Sequence, residues 1–450
     1  MIRFRTAIVL LLSLGLIAAA CGDDAGDASG GSTTSMRPDD STTTAAVSTS
    51  DAPTTTSEPV ELTASFTGVT PEVIRVGVST FDWDRLADLG VRGGIGNSED
   101  IYIAMLEAIN ERGGIHGRML ELYPIAYLPV GATEADEACL EWTEDHEVFV
   151  VVGGVLGDTV LCMTELHETA VVMVGGMTDD RKARAKAPYV TVANESSERA
   201  TAFVELMEDL DLLEGKTIGV TGSLDVGAAD YNFTLEALRK AGYDPIDGLT
   251  GDNDGDLGAT ARDAEVVYEI FRTSGVDVTI STTGVPLEIA NAIDAGYETD
   301  QWLLLSSMTG RGLNDAGVDP AYLDGAYSVN LTPIGTTGQV AMADDPLVAA
   351  CIDDIEARTG RTVSYALDVE VSALGQAVAA CSLAAILEAG LTNAGPVLTN
   401  ETFLAGLEAI GPIDLAGYPD GNLGPGNLSA SSGFGATRFD AANEVWELLD

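Results

Sequence analysis

Ten residues, Ile109 to Arg118, constrain this chain more than any other stretch. Upstream of them, from Ser98 to Arg112, the apolar side chains Ile101, Met105, Leu106, Ala108 and Ile109 recur at helical spacing. Asn97 and Ser98 are capping residue types at its start. Glu99 and Asp100 put negative charge in the first turn, where the helix dipole favours it. Gly113 and Gly114 stop the helix, because glycine reaches the left-handed conformation that a helix end wants. A strand-like run, Met119–Leu128, follows at once. The stretch therefore joins a first helix to a second strand of a parallel sheet.

The same alternation runs through the rest of the chain. Strand-like runs Val73–Thr80, Val148–Gly153, Ala170–Gly175 and Tyr189–Ala193 are separated by helix-like runs Thr133–Asp145 and Asp158–Glu168. Continuous apolar strands such as Val148-Phe149-Val150-Val151-Val152 suit a parallel sheet covered on both faces. A second series begins near Glu195. Its strands are Thr217–Thr221, Asp277–Thr282 and Trp302–Ser307, and its helices are an opening one that runs to Leu210, then Ala228–Ala241, Ala259–Thr273 and Leu287–Ala295. Tyr327–Leu331, helices Pro346–Arg358, Ala366–Ala389 and Glu401–Ile410, and a terminal hairpin over Ala436–Leu449 complete the reading. The fold class is α/β, with two doubly wound parallel-sheet lobes.

The N-terminus reads as an export signal. Arg3 and Arg5 precede an apolar run, Ala7 to Ala20, that is too short to span a bilayer comfortably. Ala18-Ala19-Ala20-Cys21 resembles a bacterial lipobox, which makes 1–21 a lipoprotein signal peptide and Cys21 the lipidated residue. Residues 22–60 are Ser, Thr, Asp, Ala, Gly and Pro with almost no large apolar side chains, so they read as a disordered tether. No second long apolar run stands out that would cross a membrane. Four further cysteines, an even number in an exported protein, predict two disulfides. Cys139 and Cys162 fall on helices flanking one strand, which right-handed crossovers place side by side. Cys351 and Cys381 fall on consecutive helices, so the expected pairs are Cys139–Cys162 and Cys351–Cys381.

Several chemistries are missing. Asp plus Glu number 71 against 22 Lys plus Arg, a net charge of −49, which repels nucleic acid. That surface reads as solvated and solubilising. His116, His146 and His167 lack a second histidine at metal-ligand spacing, so no metal is expected. No Gly-x-Ser-x-Gly elbow and no phosphate loop occurs. Gly94-Ile95-Gly96 and Gly153-Gly154-Val155-Leu156-Gly157 miss the dinucleotide spacing, so no cofactor is expected. Asp252-Asn253-Asp254-Gly255-Asp256 lacks the glycine of a calcium loop, with Leu257 in its place. With neither a nucleophile–base pair nor a metal cluster, the chain is not read as an enzyme.

The segment Ile109-Asn110-Glu111-Arg112-Gly113-Gly114-Ile115-His116-Gly117-Arg118 closely resembles the leucine/isoleucine/valine-binding family of solute-binding proteins of ABC importers. There, an Ile-Asn-x-x-Gly-Gly-Ile-x-Gly-Arg segment closes the first helix. The resemblance implies the type I periplasmic-binding fold, whose chain crosses between lobes three times. Lobe one is then 72–193 plus 311–410, and lobe two 194–310 plus 411–450. It also implies a monomer, lipid-anchored outside the cell membrane or in the periplasm, that closes on a small ligand and delivers it to an ABC permease. A sensor signalling through a membrane partner is the alternative.

In open parallel sheets ligands sit beyond the carboxyl ends of the strands. That places Trp83 after the first strand as a stacking surface, Gly154 and Val155 after the third, and Gly176, Met177 and Thr178 after the fourth. The resemblance makes the last two positions the carboxylate-holding ones, with Thr178 matching the family's threonine and Val155 standing where serine is common. The second lobe departs from the family. Val226-Gly227 replaces a Tyr-Gly pair, Thr283-Gly284 replaces an aromatic, and Met308 stands where an acid takes the ligand's ammonium. Asp225 and Asp82 are the acids placed to substitute. An amino-acid-like ligand is therefore expected to lack its usual anchors.

Overall fold

The computed structural model describes residues 62–88, 96–130, 132–155, 157–224, 228–251, 253, 256–283, 286–306, 313–314, 317–367 and 373–449. The Gly-Gly stop governs the first crossover. Helix α2 (Glu99–Glu111) ends into Gly113 and Gly114, both at positive φ. A Cβ on Gly114 would lie 2.0 Å from the Arg118 carbonyl oxygen, so a side chain there is excluded. The turn delivers the chain to β2 (Met119–Tyr127), which pairs in parallel with β1 (Val73–Phe81). Arg118 is 1% exposed. Its Nε donates to the Thr70 carbonyl at 2.7 Å, Nη1 to Pro396 at 2.8 Å and Nη2 to Thr63 at 3.1 Å. The motif's arginine thus lashes the incoming chain to a segment almost 280 residues away.

Sheet one has the order β2-β1-β3-β4-β5, all parallel, with β3 (Val150–Gly153), β4 (Ala170–Met173) and β5 (Tyr189–Thr191) fully buried. A short α1 (Trp83–Asp88) follows β1. Helix α3 (Thr133–Leu140) and helix α4 (Thr159–Leu161) each run on through a wide π-type turn, Glu141–Asp145 and Cys162–Leu166. The Cys139–Cys162 disulfide joins them. Helix α5 (Asp179–Arg184) connects β4 to β5.

Sheet two begins after α6 (Ser196–Asp209) and has seven strands. These are β6 (Ile218–Ser223), β7 (Ile246–Thr250), β8 (Val278–Ser281), β9 (Gln301–Leu304), β10 (Tyr327–Asn330), β13 (Gly435–Asp440) and β14 (Val445–Leu448). Their order is β14-β13-β10-β9-β8-β6-β7. The pairs from β7 to β10 are parallel, and the terminal hairpin adds two antiparallel strands. Helices α7 (Ala228–Ala241), α8 (Leu257–Ser274) and α9 (Pro286–Asp294) connect its strands.

Between β10 and β13 the chain returns to lobe one as α10 (Pro346–Thr359), α11 (Leu374–Ala394) and α12 (Asn400–Glu408), followed by the small ladder β11 (Gly411–Pro412) and β12 (Asn422–Leu423). Cys351–Cys381 links α10 to α11. Helix α11 is long and apolar enough to cross a membrane, a run the sequence reading passed over. It is apolar all round because it is the central helix of lobe one, with Leu383, Ile386 and Leu387 fully buried.

The expected lobe boundaries shift. β10 pairs with β9 and β13, so 317–330 belong to lobe two and not to lobe one. Leu415, Ala416, Leu423, Leu428 and Ala430 pack in the core of lobe one, so 411–431 belong there and not to lobe two. The chain crosses between the sheets at about 192–195, 331–338 and 432–434. Helices α1 and α5 and strand β7 also escaped the sequence reading. The signal segment 1–21, Cys21 and the 22–60 tether lie outside the described residues.

Candidate functional site

All three crossings sit at the carboxyl ends of parallel strands. The first leaves β5 at its last residue, and the second leaves β10 at its last residue. The third enters β13 at Gly435, which faces Asn330 at the end of β10. The first and third run side by side, with Ala430 N–H donating to the Thr191 carbonyl at 2.9 Å and Ser431 N–H to Val192 at 2.7 Å. The carboxyl edges of both sheets therefore border one hinge, and the free N–H groups of the following helices collect there.

Lobe one brings most of its expected residues to this edge. Trp83, the first residue of α1, is half-buried and meets Phe81 edge to face at 6.2 Å. Phe81 in turn meets Tyr127 at 5.4 Å. Asn97 Oδ1 accepts the Trp83 N–H at 2.8 Å and so fixes the start of α1. Gly154 is less available than the sequence suggests. Its N–H donates to Ser79 at 3.0 Å, and its carbonyl accepts from the Ser79 and Tyr127 hydroxyls. The neighbouring Gly153 has φ +129, and a Cβ on it would sit 2.0 Å from the Ser79 carbonyl, which is why the strand must end in glycine.

Val155 is buried, and Met177 is fully buried with its sulfur accepting from Ser429 at 3.6 Å, so both pack rather than face solvent. Gly176 is exposed at φ +90. Thr178 caps α5, its hydroxyl accepting the Arg181 N–H at 3.2 Å. Arg181 then reaches back, donating to the Gly176 carbonyl at 2.7 Å and pairing with Asp158 at 2.8 Å. Lys182 pairs with Glu195 at 2.6 Å, tying α5 to the first crossing. Burial pushes the Tyr189 phenol above its ordinary value, while the Arg181 guanidinium pulls it back.

In lobe two, Asp225, Val226 and Met308 lie outside the described residues. Thr283 is half-buried and donates to Glu288, in the first turn of α9. The Glu288 carboxylate also accepts from Thr221 and, at 2.6 Å, from Ser281. The residue keeps some surface in solvent, but its carboxylate is enclosed, and that burial raises its pKa above the carboxylate norm against the pull of these hydroxyls. Leu224, just past β6, is 46% exposed. Sequence reasoning missed Arg181 and Glu288. Their only signal was position within a few residues of a strand end or helix start. Among the described residues no group of His, Cys, Asp and Glu is arranged to hold a metal.

Comparison with known proteins gives one family and one fold. The family model described as periplasmic binding protein matches residues 95–439. No curated protein matches the chain in sequence. Among solved structures, a possible leucine/isoleucine/valine-binding protein from Rhodopirellula baltica SH 1 is 18% identical, with a TM-score of 0.59 over 84% of this chain and 96% of that one. A leucine-binding protein from Thermotoga maritima MSB8 is 14% identical, with a TM-score of 0.61 over 84% and 98%. A fatty acid ABC transporter substrate-binding protein from Thermomonospora curvata is 15% identical, with a TM-score of 0.60 over 85% and 93%.

Proposed function

This chain belongs to the periplasmic binding protein family, whose members bind solutes and do not transform them, and from that premise we propose that it is an extracytoplasmic receptor of an ABC importer. It captures a small solute between its lobes and presents it to a membrane permease. The observation that carries the reading is the placing of all three crossings at the carboxyl edges of both sheets. A rotation about those crossings opens or closes the edges on each other and excludes water from what they hold.

In this reading Trp83 and Phe81 supply an apolar face, and Gly176, Thr178 and Thr283 border the ligand. Asp225, Val226 and Met308 complete the side contributed by lobe two. Cys21 carries the lipid and becomes the N-terminus once the peptide before it is cleaved after Ala20, and residues 22–60 tether a monomeric body to the membrane. Relatives of this fold are named for ligands as different as leucine and fatty acids, so the fold alone leaves the ligand open.

The test is thermal unfolding of the mature protein against a small-solute library. A ligand that binds only the folded state stabilises it by about 2.7 kcal/mol at a hundredfold excess over its dissociation constant. A selective shift with one chemical class supports the receptor reading and names the cargo. The absence of any shift, with the protein folded, sinks it.

A further inference from the structure

Resting on that receptor reading, we infer that lobe one carries an uncharged hydrogen-bonding niche, built by Thr80, Ser98, Tyr102, Gln376 and Tyr418, that receives a neutral hydroxyl or carboxamide group of the ligand rather than a carboxylate or an ammonium.

The niche lies on the sheet face opposite Phe81 and Gly154. A Cβ on Gly77 would meet the Trp142 ring at 2.8 Å, so Gly77, Ser79 and Phe81 face the α3 side. Strand alternation then turns Val76, Val78 and Thr80 toward α2 and α11. Thr80 is 4% exposed, and its hydroxyl has no hydrogen-bond partner. It stands at the carboxyl end of β1, where α2 and α11 both begin. Ser98 precedes α2 and Tyr102 lies in its first turns, while Gln376 lies in the first turn of α11. The Ser98 and Tyr102 hydroxyls both donate to Gln376 Oε1 at 3.3 Å. That oxygen is thus twice occupied, and the amide nitrogen keeps two donors with no partner among the described residues. Tyr418 adds a second buried phenol whose charge, were it ionised, would act on that of Tyr102.

The electrostatics set the class of ligand. Burial pushes the Tyr418 phenol up to about 12 and raises Tyr102 further, and among the described residues no charged side chain acts on either. A carboxylate entering here would give up water for donors that carry no positive charge, and an ammonium would find lone pairs but no counter-ion. A neutral group loses less solvation and can accept from the Gln376 amide. A buried hydroxyl without a partner calls for such an occupant. The same conclusion accounts for the loss of the ammonium-binding acid at Met308.

The test uses the mature protein and two sets of probes in thermal unfolding. One set is neutral: glycerol, ribitol, myo-inositol, acetamide and isobutyramide. The other is charged: leucine, octanoate and putrescine. Two variants accompany the wild type. Thr80→Val removes the unpartnered hydroxyl without changing shape. Gln376→Met removes the two donors without adding a charge, and its unliganded unfolding reads any structural cost of losing the bonds from Ser98 and Tyr102. The expected result is a shift with a neutral probe, weakened about tenfold in each variant, with unliganded unfolding unchanged in cooperativity. Binding confined to charged probes, or a neutral probe that binds wild type and both variants alike, overturns the niche and leaves the receptor reading standing. No shift with any probe of either set overturns both.

Discussion

Lobe one closes both faces of its sheet with covalent staples. Cys139–Cys162 ties α3 to α4, and Cys351–Cys381 ties α10 to α11. Lobe two contains no cysteine and stacks aromatic rings instead. Tyr268 lies on Tyr297 at 4.8 Å, Trp302 meets Tyr297 edge to face at 6.1 Å, and Tyr322 adjoins Trp302 at 6.0 Å. The difference follows from the sheets. Short strands occur in both sheets, but the lobe-one sheet is all-parallel and its edges gain nothing from a hairpin. Lobe two adds an antiparallel hairpin whose Phe439 and Trp446 pack at 5.1 Å. Both lobes bury apolar cores, and lobe one adds loop constraint where lobe two adds an aromatic stack and a hairpin.

The largest break in that comparison comes from reduction. The loops closed by the two bridges span 23 and 30 residues, so each bridge contributes about 3.5 kcal/mol in the chain-entropy account. Scanning calorimetry with and without reductant is expected to lower one transition, that of lobe one, and to leave the other in place. A uniform fall of both transitions would show that the lobes unfold as one unit. Next comes Arg118→Met. It removes the guanidinium donor from three carbonyls, and a loss of about 1–3 kcal/mol is expected, again confined to lobe one. A loss below about 1 kcal/mol would mean that water replaces the guanidinium.

The sequence made lobe one the more legible half. Gly113 and Gly114 announced the helix end, continuous valine runs announced buried parallel strands, and cysteine spacing on neighbouring helices announced both bridges. Each of these is a local signal. What stayed hidden depends on partners far apart in the chain. Tyr327–Asn330 reads as a strand, but only its pairing with β9 and β13 places it in lobe two. Strand β7 carries just Ile246 and Leu249 as large apolar residues, because it is an edge. Thr178 was found by position, yet its hydroxyl serves its own helix. Gln376 reads as one polar residue in an apolar helix, and its role depends on hydroxyls 274 and 278 positions away.

A smaller effect tests the aromatic side of the comparison. The Tyr297 hydroxyl bonds to that of Thr279 at 2.7 Å, and both residues are buried. Tyr297→Phe keeps the ring stack but strands the Thr279 hydroxyl, so a loss of about 1–2 kcal/mol is expected in the lobe-two transition alone. If the lobe-one transition moves with it, the two cores are coupled through the hinge.

The smallest expected effect is a slope rather than a step, and it separates the lobes by pH. Glu288 holds its proton more tightly in the folded protein than in the unfolded chain, because burial disfavours the carboxylate. The folded state therefore binds more protons between the ordinary carboxylate pKa and the raised one. Within that window stability falls as pH rises, and below and above it this group contributes no slope. Lobe two is expected to show this decline in its unfolding midpoint. Glu288→Gln, which cannot ionise, is expected to flatten it while still meeting Thr221, Ser281 and Thr283 through hydrogen bonds. An unchanged slope in Glu288→Gln would assign the decline to other carboxylates. It would also mean that the three hydroxyls stabilise the ionised form as fully as water does, so that this enclosed acid adds no pH dependence to lobe two.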